Sequence, residues 1–491
     1  MRLVGLLLFI ILIITGAAEA EILPGQFVSW SDFTHITGIA ISHDYAYFGT
    51  TEGIIRYHRF ENKWYPPITI SDGLPQSYIE RIAISSDGAY LYVDSNGDII
   101  SYDVDLDHWT YETDFPLEFY HDTRPQIPIQ RYYMSFGYTM YPNGFISDNS
   151  LRDYRISALY DDGFNTIYVG TWGMGPVFVD NRDYEGTLNA FGLIQKRTDA
   201  IYIDGDSVWL AGNEGQWGSA DYQTRFGITL FEQSKPKFSW YEPRYMSGFD
   251  SEVIYDITGD DKHIFFAGLH GVSVFSRKKE TYFTLTHGSG LPNMESTALA
   301  VRNDSLWIGT AEGLALYSPS ANILVSVGKK ILGDLFITDL QMTRDKLLIG
   351  TTKGAYYIDF KTKLIGSLKD PHGDLTGLIR HISHYENEVL FSTDYGVTTI
   401  NLLTERSSTL PYVNGPPGAF AAAANDKIYA VAVSDGLMLI NKENGKRNLL
   451  TEDDGLLSLK ISTLVSDGKY LWIGSDEGLT RFDWSHPDRI D

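Results

Sequence analysis

The chain has no cysteine in its 491 residues. That excludes disulfides, thiolate metal sites and a lipid-modified cysteine. Basic residues are scarce beside acidic ones, 39 Lys and Arg against 63 Asp and Glu, for a formal net charge of −24. Nucleic acid and anionic membrane surfaces are bound through clustered Lys and Arg, so this deficit argues against both as partners. No window sustains a 3.6-residue apolar period, so almost no helix is expected. A Gly-x-Ser-x-Gly elbow, a phosphate-binding loop and an HExxH helix are all missing. The 12 histidines are scattered without ligand spacing.

One long apolar run exists, residues 3–15 after Arg2, and Ala18-Glu19-Ala20 follows it as a small-x-small site. This reads as a secretory signal peptide over residues 1–20, cleaved after Ala20, and not as a membrane span. The expected product is periplasmic or secreted and not membrane-spanning, with residues 21–491 as one folded unit. A closed β structure of that length buries enough core to need no covalent staples.

What the chain has in abundance is a repeated phrase. Its clearest copy is Leu306-Trp307-Ile308-Gly309-Thr310-Ala311-Glu312-Gly313-Leu314, and others are Phe48–Ile54, Leu348–Ala355 and Leu471–Leu479. The last glycine of the phrase serves as a ruler at Gly53, Gly97, Gly175, Gly215, Gly271, Gly313, Gly354, Gly396, Gly436 and Gly478. Successive spacings are 44, 78, 40, 56, 42, 41, 42, 40 and 42 residues. A period of roughly 40–45 with four short strands per unit is the signature of propeller blades. Strands such as Ser305–Ile308 are apolar at successive positions, as suits strands covered on both faces.

The fold class expected is therefore all-β, a propeller of about ten four-stranded repeats. The tenth unit stops after its third strand near Arg481–Trp484, and Gln26–Ser31 precedes the first unit where a fourth strand belongs. That N-terminal strand is expected to close the ring and remove an exposed sheet edge. One ring of ten is the simplest count, and two smaller propellers are the alternative, since propellers typically have four to eight blades.

The phrase Leu-Trp-Ile-Gly-Thr-x-x-Gly-Leu, with a later Asp-Gly-Leu-Pro at residues 72–75, resembles the two-component regulator propeller repeat. The resemblance spans essentially the whole mature chain. It is weaker in units two, three, eight and nine, where Asp94-Ser95-Asn96-Gly97 and Ser392–Gly396 lack the first glycine. In that family such propellers often form the periplasmic half of hybrid sensor kinases and detect oligosaccharides, and some stand-alone members serve cell-surface assembly and secretion. No Ig-like module, kinase or receiver is found in these residues. The resemblance thus implies fold and a style of ligand, not signalling.

The two long spacings place extra segments at about residues 117–150 and 216–226. With Thr171–Gly175 they are expected on one propeller face over adjacent blades. Loops on a rigid scaffold concentrate function. The candidate ligand contacts are Arg131, Tyr132, Tyr133, Tyr138, Tyr141, Trp172, Trp217, Tyr222 and Arg225, whose flat aromatic faces and guanidinium groups suit a peptide or a sugar. No catalytic residue and no metal ligand is assigned. His121-Asp122 is a dipeptide rather than a dyad. Asp103, Asp105 and Asp107 lack the later glycine and glutamate of a calcium loop and read as a solvated turn. No cofactor is expected, and calcium is the one left open. The functional expectation is a non-enzymatic binding or scaffold protein whose partner is an envelope or extracellular protein or an oligosaccharide. The rival is a metal-dependent hydrolase, lyase or lactonase working in the central channel.

Overall fold

A computed structural model describes residues 26–130, 132–134, 137–212, 225–370, 373–410 and 418–485. The predicted signal peptide and residues 216–224 of the second extra segment lie outside the described residues. Among those described, helix is confined to Lys329–Leu332 and a few single 3-10 turns. None is long and apolar enough to cross a membrane.

The repeated phrase explains itself at atomic level. In Leu306–Leu314 the strand Ser305–Thr310 turns into Gly313–Ser318, and Gly313 sits at φ 98°, which favours glycine. The Thr310 hydroxyl donates to the Gly313 carbonyl at 2.9 Å and accepts from the Glu312 N–H at 3.2 Å, closing the hairpin. Gly309 has a different task. A Cβ there would lie 2.5 Å from Cγ2 of Ile337 in the next sheet. The first glycine is therefore a packing position and the second a turn position. Unit two shows what happens without the first: Asp94 takes that place and pairs with Arg81 at 2.5 Å.

Among the described residues ten sheets follow one another, spanning about residues 36–68, 81–111, 133–188, 200–241, 254–285, 296–327, 337–367, 379–410, 421–450 and 461–483; they are called sheets 1 to 10. Nine have four antiparallel strands. Sheet 10 takes its fourth strand from the N-terminus: Phe27–Trp30 pairs antiparallel with Leu479–Asp483, with Phe27 opposite Phe482 and Trp30 opposite Leu479. The Phe27 and Phe482 rings stack at 4.5 Å. The N-terminal closing strand is thus present as expected.

The ten sheets do not share one axis. The first strands of sheets 4 to 10 adjoin one another in order, and Ile461–Ser466 of sheet 10 returns to Ala200–Asp204 of sheet 4, closing a ring of seven. Thr198 N–H donates to the Ser475 carbonyl at 2.9 Å and the Ser462 hydroxyl to the Thr198 carbonyl at 2.5 Å, locking the two ends together. Sheets 1 to 3 form a separate unit between the closing strand and the ring. In it the first strand of sheet 1 lies between those of sheets 2 and 3. The remaining side of this arc is filled by the segment carrying Phe119 and His121, which with Tyr160 borders a cavity of about 220 Å³. The arrangement is neither one ring of ten nor two closed propellers, but a ring of seven with a three-sheet arc beside it. The reason lies in the core: Trp30 and Trp472 stack at 6.2 Å, and Trp30 meets Phe231 of sheet 4 at 5.0 Å. Sheet 10 therefore finds sheet 4, and Phe33, Phe48, Trp64 and Phe191 join the three-sheet unit to that same seam.

Candidate functional site

The first extra segment does not remain a loop. Thr139–Tyr141 and Phe145–Ser147 pair onto the inner side of sheet 3, and Tyr133–Met134 pairs parallel to Glu185–Leu188 at its outer side, making a seven-stranded sheet. Met134 packs where Gly186 leaves room, since a Cβ on Gly186 would lie 2.7 Å from its sulfur.

Arg131, Trp217 and Tyr222 lie outside the described residues. The other six predicted contacts divide by burial. Tyr133 and Tyr141 are exposed. Tyr132 is buried, with its ring 6.2 Å from that of Tyr184. Trp172 is half-buried, edge-on to His35 at 5.2 Å and under the Arg155 guanidinium at 5.7 Å. Tyr138 and Arg225 are brought together, with Arg225 buried and Tyr138 half-buried. Tyr138 packs on the core of sheet 3, and burial pushes its phenol up.

Arg225 belongs to a network that sequence reasoning missed. Its Nε and Nη2 donate to Glu242 Oε1 at 2.9 and 2.8 Å. Arg152 donates to Glu242 Oε2 at 2.6 Å and to Asp148 Oδ2 at 2.8 Å. Tyr154 donates to Asp148 Oδ2 at 3.0 Å. All four charged side chains are buried, two of each sign. The Arg225 guanidinium also lies over Trp240 at 4.9 Å. These residues come from sheet 3 and from the edge of sheet 4, so the network ties the three-sheet unit to the ring. A second tie is Lys196, which bridges Glu52 of sheet 1 at 2.6 Å and Glu477 of sheet 10 at 3.2 Å. Burial pushes the Glu52 carboxyl up to about 7 against the pull of Lys196. No sequence signal marks these partners, because they lie up to 281 residues apart.

A larger concave feature is the channel of the seven-sheet ring, a cavity of about 690 Å³. Its mouth lies where chain links enter the first strands and carries Arg197, Asp199, Tyr255, Glu295 and Arg380. Arg197 pairs with Asp199 at 2.8 Å and Arg380 with Asp394 at 2.7 Å. Burial raises the Tyr255 phenol, aided by Glu295 and Asp199. Deeper in, Asp256 and Asp339 hold equivalent positions at β-bulges of sheets 5 and 7. Asp256 accepts the N–H groups of Ile257 at 2.8 Å and of Leu299, in the next sheet, at 2.6 Å. Asp339 does the same with Leu340 at 2.7 Å and Ile382 at 2.5 Å. Burial, then the Asp339 charge, pushes the Asp256 carboxyl up to about 8. Among the described residues no three His, Asp or Glu side chains are placed to share a metal ion.

The weak sequence features are settled locally. Asp103 Oδ1 accepts the N–H groups of Asp105 and Leu106, a self-capped turn as expected. Asp122 pairs with Arg124, and its neighbour His121 lies against Tyr160.

No protein-family model matches the sequence, and no curated protein is detectably similar to it. Among solved structures the chain is similar to the extracellular domain of the putative hybrid two component system BT3049 from B. thetaiotaomicron. The identity is 14% and the TM-score 0.50, over 93% of this chain and 69% of that one. It is also similar to PorZ, a surface component of the type-IX secretion system of Porphyromonas gingivalis, at 14% identity and TM-score 0.49 over 91% and 74% of the two chains. Virginiamycin B lyase from Staphylococcus aureus matches 59% of this chain with 95% of its own, at 11% identity and TM-score 0.45. At these identities the likeness is one of fold, and the chain has the β-propeller architecture that the repeat resemblance implied, shared with the extracellular domain of BT3049.

Proposed function

We propose that this is a secreted or periplasmic, non-enzymatic binding protein that holds a peptide segment of an extracellular or envelope protein at the channel mouth of the seven-sheet ring. The observation that carries the proposal is the composition of that mouth. Tyr255 offers a flat face, Arg197 and Arg380 offer donors, and Asp199 and Glu295 offer acceptors, all around a preformed cavity. A rigid rim with both charge signs suits a zwitterionic, hydrogen-bonding chain, and pre-organisation lowers the entropic cost of capture. The secretory reading rests on the N-terminal apolar run and the small-x-small site, and it agrees with the extracellular neighbours.

The test is the melting temperature of the mature protein against short peptides and oligosaccharides. A ligand bound only by the native state adds about 2.7 kcal/mol at a hundredfold excess over its dissociation constant. A peptide shift that disappears in Tyr255→Ala and Arg380→Ala supports the proposal. A shift that survives both but is lost in Tyr133→Ala, Tyr141→Ala or Trp172→Ala moves the site to sheet 3. A shift with oligosaccharides alone replaces the peptide with a sugar.

One observation favours the enzymatic alternative. Asp256 is a channel carboxyl held near neutrality, where a general acid or base works best. Turnover of an ester, lactone or glycan that is abolished by Asp256→Asn would establish it. Binding unchanged in that variant, without turnover, retains the binding protein.

A further inference from the structure

The sheets share a plugging rule. In seven of the ten, the outer-strand residue opposite the penultimate residue of the third strand is apolar and fills the gap towards the neighbouring sheet. Trp64, Trp109, Phe238, Tyr282, Leu324 and Ile365 do so in sheets 1, 2, 4, 5, 6 and 7, and Phe27 in sheet 10. Sheet 3 has Gly186 there, and Met134 supplies the missing volume. Sheet 8 has Ser407, opposite Ile400, and sheet 9 has Arg447, opposite Ile440. On the facing wall of sheet 7, Gly366 stands opposite Tyr357, and the Tyr357 ring covers it, since a Cβ there would lie 2.8 Å from the phenol oxygen.

Ser407 lines a cavity of about 240 Å³ between sheets 7 and 8. Its floor is apolar, with Leu348, Val389 and Phe391 fully buried and Ile400 beside them. Its rim carries Lys346 and Lys369, with Glu405 as the one carboxylate among the lining side chains. The Lys346 ammonium lies 5.1 Å from the centre of the Tyr357 ring, and among the described residues neither lysine forms a salt bridge. An apolar cavity of about 150 Å³ suffices for a benzene ring, so this one has room for a substituted ring.

We propose that this gap is a binding site for a small aromatic carboxylate. The ring would replace the absent plug between Ile400 and Tyr357, and the acid group would meet the two lysines at the rim. In a chain of net charge −24 a pocket rim with two cations and one anion is a local inversion of sign. The site is separate from the channel mouth and independent of what binds there.

Isothermal titration calorimetry of the mature protein with indole-3-acetate, with indole and with tryptamine as neutral and cationic counterparts, tests the proposal. The acid should bind saturably and at least tenfold more tightly than tryptamine. Ser407→Phe restores the plug that Phe238 provides in sheet 4, so it should fold with an equal or higher melting temperature and abolish binding. Replacing both Lys346→Met and Lys369→Met should leave the fold intact and remove the preference for the acid. Should Ser407→Phe fail to fold, the lysine variant decides. Absence of saturable binding up to millimolar acid, unaltered affinity in Ser407→Phe, or equal affinity for all three probes overturns the proposal.

Discussion

The seven-sheet ring and the three-sheet unit are written in the same repeat, yet they solve closure differently. In the ring, neighbours in sequence are neighbours in space, and the one break is closed where Ile461–Ser466 meets Ala200–Asp204 and Thr198 bonds to Ser462 and Ser475. In the three-sheet unit, sheet 1 stands between sheets 2 and 3, and a connecting segment with Phe119 and His121 takes the third side. The ring is held by apolar surfaces repeated from blade to blade. The smaller unit leans on the ring through one apolar seam and through the buried Arg152, Glu242 and Arg225 set. A repeat therefore fixes the blade, while the contacts at the ends of the array fix how many blades share an axis.

The largest effect should come from breaking that seam. Glu242→Ala leaves the buried Arg225 guanidinium without its carboxylate and Arg152 with Asp148 alone, a change that costs about 3–5 kcal/mol. Calorimetry should then resolve two transitions, the three-sheet unit melting first; a single transition shifted as a whole would show that the two regions remain one cooperative body. Phe27→Ala attacks the ring instead. It removes a buried ring stacked on Phe482 and should cost about 3 kcal/mol, with urea unfolding showing the main ring transition lowered.

A finer contrast separates the two glycine roles. Gly309→Ala puts a methyl 2.5 Å from Ile337 and should cost about 1–3 kcal/mol through overpacking. Gly97→Ala, in the three-sheet unit, meets nothing within 4 Å and carries only its φ of 96°. It should cost about 1 kcal/mol, the usual scale of backbone strain in the left-handed region. Equal losses in the two variants would refute the assignment of separate roles.

A separate contrast concerns pH and the ring. Asp256 binds its proton more tightly folded, at about 8, than at its ordinary 3.8. The native state then holds more protons than the unfolded chain, so stability is greatest below the ordinary value and falls as pH rises towards 8. Urea unfolding at pH 5 and pH 9 should show this loss in the parent and a smaller one in Asp256→Asn. A loss of the same size in both proteins would assign the pH dependence elsewhere, with Glu52 at the seam the next group to replace.

Much of the architecture was legible because its determinants are local. The Thr310-x-x-Gly313 hairpin, the Asp103 turn and the closing strand each depend on residues a few positions apart or on one missing strand. The candidate site was less legible. Tyr138 and Arg225 come together, and Arg225 is buried in a network with Asp148, Arg152 and Glu242, which carry no motif. The channel mouth was missed altogether, because Arg197, Tyr255, Glu295 and Arg380 meet only when sheets 4, 5, 6 and 8 surround a common axis.

The sequence by itself determined the blade, through a turn glycine, a packing glycine and a capping hydroxyl repeated at a near-constant period. The tertiary structure alone decided the partition into seven and three. Every sheet presents a similar apolar face, so the repeat is indifferent to which sheet comes next at the break. Trp30, Phe231 and Trp472 break that tie by meeting at one seam, and a contact between residues more than 400 positions apart is written in no local pattern.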